Sequence, residues 1–260
     1  MIRYINSLYF SPTGTTMKVV KAVAQGIGYE SNRYDITLPS KRKSPLIFTE
    51  KDILVVGVPV YAGRVPEFVS EYLATMKGNN TLAVFLAVYG NRDYDDALLE
   101  LKELLESKGF VGLAAGAFIG EHSYTDKVAK NRPDWRDHIM AKNFGRLIKM
   151  KIRLIDKLNL LPELHVSGNT PYRPHNQSLP LSPVTNDNCL QCSICAESCP
   201  RGAIDIDDVS DVDAELCVKC HCCVKGCPMS AKEFDERLDR AKQWLEEGFS
   251  KERLKPELFF

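Results

Sequence analysis

Eight of the nine cysteines fall into two copies of one spacing, Cys189-x2-Cys192-x2-Cys195-x3-Cys199-Pro200 and Cys217-x2-Cys220-x2-Cys223-x3-Cys227-Pro228. Three thiolates in a tight loop can grip three corners of a cuboidal cluster, while the fourth, beyond the turn, is aimed away from them. This is the spacing of paired [4Fe–4S] sites, in which the fourth cysteine serves the other cluster. It predicts one ligand set of Cys189, Cys192, Cys195 and Cys227 and another of Cys217, Cys220, Cys223 and Cys199. Zinc and disulfides are the competing chemistries. Zinc sites use pairs of ligands a long loop apart and need neither the third cysteine nor the proline. Disulfides need an oxidising compartment, and the opening MIRYINSLYF has no apolar run or cleavage site behind a basic start. Cys222 breaks the spacing if used as a ligand and reads as a small packed residue beside the cluster.

The cysteine run, roughly 186–232, resembles bacterial two-cluster ferredoxins. Such a unit needs only about 50 to 60 residues, so a chain of 260 residues holds something larger before it. Lysine plus arginine and aspartate plus glutamate balance at 34 each, which gives no global charge for nucleic acid or acidic membranes. No apolar run approaches the ~18 residues of a membrane span, and the chain reads as soluble and cytoplasmic.

The N-terminal part alternates apolar strand-like runs at 4–10, 32–37, 53–58, 82–88 and 111–119 with helical patterns at about 14–27, 65–77 and 94–108. Continuous apolar strands separated by helices predict a five-stranded parallel sheet covered on both faces, in a doubly wound α/β domain. Such sheets bind ligands beyond the carboxyl ends of their strands. The first loop there, Ser11-Pro12-Thr13-Gly14-Thr15-Thr16, opens a helix. Gly14 lets the backbone approach closely, and the hydroxyls of Ser11, Thr13, Thr15 and Thr16 can donate to a phosphate monoester. An ordinary capped helix start is the alternative. No lysine follows and no G-x-G-x-x-G is present, so neither a P-loop nor a dinucleotide fingerprint is in play. Pro59-Val60-Tyr61-Ala62-Gly63-Arg64 and Tyr89-Gly90-Asn91-Arg92-Asp93-Tyr94-Asp95 bring aromatic rings and backbone groups to the same edge, as a flat heteroaromatic ring requires.

These loops in this order resemble flavodoxins and related FMN-binding reductases over roughly residues 1–155. The resemblance implies FMN, with its phosphate on Ser11–Thr16 and its ring between the two later loops. It makes Tyr94 the first stacking candidate and Tyr61 the next, and the Ala62–Gly63 peptide a partner for the flavin N5. Pro59, Tyr89, Gly90, Asn91 and Asp95 complete the expected ring site. In Gly120-Glu121-His122-Ser123-Tyr124-Thr125-Asp126, Glu121 or His122 is a candidate proton relay, with loop capping the alternative.

From Asp134 to Leu158 the pattern is a long basic helix with Trp135, Ile139, Phe144, Leu147, Ile148, Ile152 and Ile155 as its apolar set. Residues 134–157 carry a surplus of four positive charges, and 186–232 a surplus of four negative ones. That contrast suggests that the helix seats the acidic cysteine-rich unit or an acidic partner, with a plain solvated face as the alternative. Five prolines across 161–185 mark a semi-extended linker. Ala231 to Glu247 reads as a closing helix with Leu238, Ala241 and Trp244 on one stripe. The expected layout is therefore a flavodoxin-like domain at 1–160, the proline-rich linker at 161–185, a small α+β two-cluster ferredoxin domain at 186–232, and a helix and tail at 233–260.

An FMN that holds one or two electrons, joined to clusters that pass one at a time, forms a relay between two-electron and one-electron chemistry. The expected function is an electron carrier of the flavodoxin–ferredoxin fusion type found in anaerobes, with redox proteins as donor and acceptor. The rival is a ferredoxin-fed reductase of a small organic substrate such as a quinone. An apolar pocket open beside His122 points to the reductase, and a flavin edge covered by the cysteine-rich unit points to the carrier. A redox sensor finds no output domain in the sequence.

Overall fold

The alternation of apolar strands and amphipathic helices builds a doubly wound sheet in the computed structural model, which describes residues 4–28, 32–155, 161–175, 180–234 and 236–260. In chain order β1 (Tyr4–Tyr9), α1 (Thr15–Ile27), β2 (Asn32–Asp35), β3 (Asp52–Pro59), α2 (Glu67–Leu73), β4 (Thr81–Tyr89), α3 (Ala97–Glu106), β5 (Phe110–Ile119) and α4 (Trp135–Leu154) form the first unit. The parallel strands run β2-β1-β3-β4-β5, the flavodoxin-like order whose ligand crevice lies at the β1/β3 switch point. Every residue of β4 is buried, as a strand covered on both faces requires.

One core, with Phe10, Leu54, Phe85, Leu98 and Leu101, lies under α2 and α3. The other, with Val20, Val23, Val84, Phe144 and Ile148, lies under α1 and α4. Asp134 starts α4 with a capping box: its side chain accepts from the Arg136 and Asp137 amides, and Asp137 accepts from the Asp134 amide. The two helices cross at Gly26 and Gly145, where a Cβ on Gly145 would meet Gly26 Cα at 2.8 Å. Both obstacles at that crossing are backbone, so Gly145→Ala is expected to force the helices apart and cost about 1–3 kcal/mol. An unchanged melting temperature in that variant would contradict the crossing.

Three expectations are corrected here. The sheet has six strands, because β8 (Glu257–Phe259), at the chain's end, pairs antiparallel with β5 and covers its edge. In α4 the expected Phe144 and Ile148 are buried with Ala141 and Gly145, and Ile152 and Ile155 pack against the same core, whereas Trp135, Ile139 and Leu147 are exposed. The linker's described part is no free spacer. Leu164 enters the core under α3, and Asp96 accepts from the Asn169 and Arg173 amides at 2.8 and 2.7 Å. Arg64 donates to the Arg173 carbonyl, and Arg173 pairs with Asp95 at 2.7 Å. Residues 156–160, where the basic helix was expected to end, lie outside the described residues.

The second unit holds β6 (Pro183–Thr185), α5 (Ile194–Glu197), α6 (Cys222–Gly226) and β7 (Lys232–Phe234), and β6 pairs antiparallel with β7. It therefore begins before 186 and runs past 232, because pairing with β7 draws the end of the proline-rich stretch into its sheet. Beyond it α7 (Asp239–Phe249) buries Leu245 and leaves Trp244 exposed, so the expected stripe is off register.

Candidate functional site

The two cysteine motifs have matching backbones. Gln191 and Lys219 both take φ 53°, Ser193 and His221 both take φ 59°, and Gly202 and Ser230 take 64° and 51°. Left-handed conformations are uncommon outside glycine. Their recurrence at equivalent positions turns each loop around its cysteines and brings amides to sulfur: Gln191 N donates to Cys189 Sγ (3.4 Å), Ala203 N to Cys199 Sγ (3.3 Å) and Ala231 N to Cys227 Sγ (3.2 Å).

Two cavities result. One is lined by Cys189, Cys192, Cys195 and Cys227 with Leu190, Ile194 and Met229. The other is lined by Cys199, Cys217, Cys220, Cys222 and Cys223 with Arg201, His221 and Phe234. The fourth cysteine of each motif thus lines the cavity of the other motif. Among the described residues no three His, Cys, Asp or Glu side chains converge on one point, as they would around a single ion. The cysteines instead surround two volumes. Cys222 shares the second cavity and donates to the Ser198 carbonyl at 3.5 Å. Burial raises the thiols of Cys220 and Cys223, the latter to about 12, while amides from Ala231, Met229 and Lys232 outweigh burial at Cys227 and lower it. Metal uptake at the second cavity must therefore release protons.

That second cavity faces the first unit. His221 lies between two rings, stacked on Tyr124 at 4.4 Å and on Phe234 at 4.3 Å. Lys225 of α6 donates to Glu121 at 2.5 Å and to the His122 carbonyl at 3.1 Å. A second tie joins Arg42 to the Pro200 carbonyl at 2.6 Å, with Arg201 over the Phe68 ring at 4.7 Å. Tyr61 adjoins the same cysteines: burial first, then Cys220, Tyr124, Cys222 and Cys217, push its phenol far above the usual range. The docking therefore runs through the loops after β2, β3 and β5 and through Phe68 of α2, and none of these ties involves α4. The structure corrects the basic-helix seat: acidic residues here face water, and shape and aromatic stacking place the unit. Tyr124 and His221 were not singled out in the sequence, because a stacking pair nearly a hundred residues apart leaves no local signal.

At the phosphate loop Gly14 takes φ 81°, and a side chain there would meet nothing within 4 Å. Ser11 Oγ accepts from the Met17 amide at 3.0 Å, and Thr16 Oγ1 is buried with no partner among the described residues. An open left-handed glycine, a helix start and an orphaned hydroxyl fit a phosphate. At the second loop Ala62 (φ 50°) and Gly63 (φ 84°) turn the chain back on itself, with Tyr61 and Arg64 exchanging backbone hydrogen bonds. The Ala62–Gly63 peptide makes no hydrogen bond among the described residues, and the Asp95 and Arg173 side chains crowd Gly63 on one side.

The third loop departs from expectation. Tyr94 is 4% exposed, donates to Glu257 at 2.7 Å and packs on Tyr89, itself buried, so neither ring offers a free stacking face. Asn91 is also buried, and its amide nitrogen donates to the carbonyls of Phe249 and Glu252 at 2.8 Å each. Asp95 pairs with Arg92 and Arg173. The returning C-terminal segment claims this loop, which local sequence could not reveal. Tyr61, beside Tyr124, remains the available aromatic.

Glu121 is occupied as an ion-pair partner rather than a relay: burial works to raise it, but Lys225 and the Asn131 amide hold it below the usual carboxylate range. His122 packs against Gly90 and accepts from the Tyr124 amide at Nδ1 (3.1 Å). Burial, with Lys225 and Arg92 adding to it, lowers its pKa from 6.5 to about 4. The folded imidazole stays neutral where the unfolded one takes a proton, so its stabilisation is complete above pH 6.5 and is lost as pH falls toward about 4. The stability advantage of the unmodified chain over His122→Gln, from urea midpoints, should narrow across that window; a gap independent of pH would refute the neutral, buried imidazole.

Strand order, the phosphate-loop cradle and the paired cysteine cavities define a flavodoxin-like α/β domain carrying a second, cysteine-rich unit. No family model matches the chain, and no curated protein does. Among solved structures, a flavodoxin from the domain Archaea is similar over 58% of this chain and 99% of its own, at 15% identity and TM-score 0.41. The Streptococcus pneumonia TIGR4 flavodoxin matches over 57% and 99%, at 17% identity and TM-score 0.41. An NADH:FMN oxidoreductase in its apo form matches over 59% and 91%, at 17% identity and TM-score 0.41. At these scores the likenesses add nothing to what the strand order already shows. No helix among the described residues is long and apolar enough to cross a membrane.

Proposed function

We propose that the chain is an electron-transfer protein that binds FMN in its first unit and one [4Fe–4S] cluster in each cysteine-lined cavity, and exchanges electrons with external redox proteins. When bound, FMN supplies one- or two-electron chemistry and the clusters supply single-electron steps. The observation that carries the reading is the junction: the cavity of Cys199, Cys217, Cys220 and Cys223 abuts the loops of Tyr61 and Tyr124. Within it, Ser11–Thr16 holds the phosphate, the Ala62–Gly63 peptide meets the ring edge, and Lys225, Tyr124 and His221 hold the inner cavity against that edge. The other cavity, with Cys192 exposed, is left for outside partners. His122 lies under Tyr124 and Lys225 instead of opening on an apolar pocket, which supports a carrier over a reductase of quinones or other small substrates.

The test is anaerobic purification followed by a reductive titration read by visible and electron spin resonance spectra. About eight irons per chain, FMN, and two cluster signals are expected. A chain that retains flavin but no iron, or zinc in place of iron, would sink the relay.

A further inference from the structure

The two sides of α4 are differently employed. Ala141, Phe144, Gly145 and Ile148 are buried under α1 and the sheet. On the outer side Ile139, Leu147, Met150 and Leu154 remain exposed, Met150 at 60% and Leu154 at 82%. Their helical spacing puts them on one stripe. Lys142, Arg146, Lys149 and Arg153, recurring every three or four residues, form a second stripe beside it. The acids at this end do not offset that charge, since Asp134 pairs with Arg253 and Asp137 with Arg132. Trp135, 67% exposed, stands at the start of the helix with Arg136 over its ring at 5.3 Å.

From Ile139 to Leu154 the apolar stripe runs about 22 Å at 1.5 Å per residue. No contact among the described residues covers it. The inner face of the helix is already packed, and the acidic unit that the charge pattern suggested as its cover is seated instead on α2 and the loops after β2, β3 and β5. Both stripes run along the axis of a single convex helix, so both meet a plane at once, whereas a protein partner would have to supply a matching groove. A two-fold contact with a second copy would gather the basic stripes of both chains around one interface.

We propose that this face of α4 lies on an anionic lipid surface, with Ile139, Leu147, Met150 and Leu154 in the boundary between headgroups and acyl chains and the basic stripe against lipid phosphates and carboxylates. The inference does not depend on FMN or on the clusters.

The test is co-sedimentation of the full-length chain with vesicles of phosphatidylcholine alone and of phosphatidylcholine with phosphatidylserine. Binding to the serine-containing vesicles, weakened by high salt, is expected. The double variant Lys149→Glu/Arg153→Glu and the triple variant Leu147→Ser/Met150→Ser/Leu154→Ser should each lose at least about tenfold in affinity while keeping the melting temperature, because every position is exposed. Three results would each overturn the proposal: no binding to anionic vesicles, equal binding by the variants, or self-association in the ultracentrifuge, without lipid, that the triple variant abolishes.

Discussion

Cys227→Ser is expected to empty the cavity of Cys189, Cys192 and Cys195 and to spare that of its own motif. The cavity walls carry this result: Cys227 lines the first cavity with those three residues, and Cys199 lines the second with Cys217, Cys220 and Cys223. Iron should fall from about eight to about four per chain in either Cys227→Ser or Cys199→Ser, leaving one cluster signal. The two variants should retain different signals. On the proposed relay only Cys199→Ser would remove a cluster next to Tyr124 and Tyr61, so rapid flavin reduction through the inner site should survive Cys227→Ser and fail in Cys199→Ser. If Cys227→Ser instead matched Cys223→Ser in its resonance spectrum, the crossed ligand sets would be wrong.

The second large effect concerns stability. Arg132 and Asp137 form an ion pair whose side chains are each 3% exposed, with contacts of 2.9 and 2.6 Å. Arg132 also donates to the Leu254 carbonyl at 3.0 Å, and Asp137 accepts from Arg253 at 3.2 Å, so the pair ties the start of α4 to the returning C-terminal segment. Removing Arg132 leaves the buried Asp137 carboxylate with only the half-exposed Arg253 and the Asp134 amide as partners, at a cost of about 3 kcal/mol. For a chain of this size Arg132→Met should lower the melting temperature by about 10 °C. Arg132→Met/Asp137→Leu should recover much of that loss, because no unpaired charge is left buried. A melting temperature in Arg132→Met within a degree or two of the unmodified chain would mean that the pair is solvated.

Legibility in the sequence followed the range of the interactions. The strands β1, β3, β4 and β5 emerged from runs such as Leu82–Val88, since a strand covered on both faces must be apolar throughout. The helix starts near Gly14–Thr15 and Asp134 emerged because a helix start is decided within a few residues. Tyr94 was misread because its partner Glu257 is 163 positions away. In the expected apolar set of α4, Phe144, Ile148, Ile152 and Ile155 pack, but Trp135, Ile139 and Leu147 have the right residue type for a core and face away from it, because only the position of α1 selects the buried side.

The sequence by itself determined the two cysteine sets, the parallel sheet and the helix start at Gly14, because cysteine spacing, strand periodicity and helix-start chemistry are each settled within one short segment. Tertiary structure alone decided that the inner cavity sits against Tyr61 and Tyr124, that the described linker is strapped to α3, and that the C-terminus returns to close β5 and claim the third loop. Those are contacts between residues far apart in the chain, chosen by shape, stacking and buried charge, and no local pattern encodes which distant surfaces will meet.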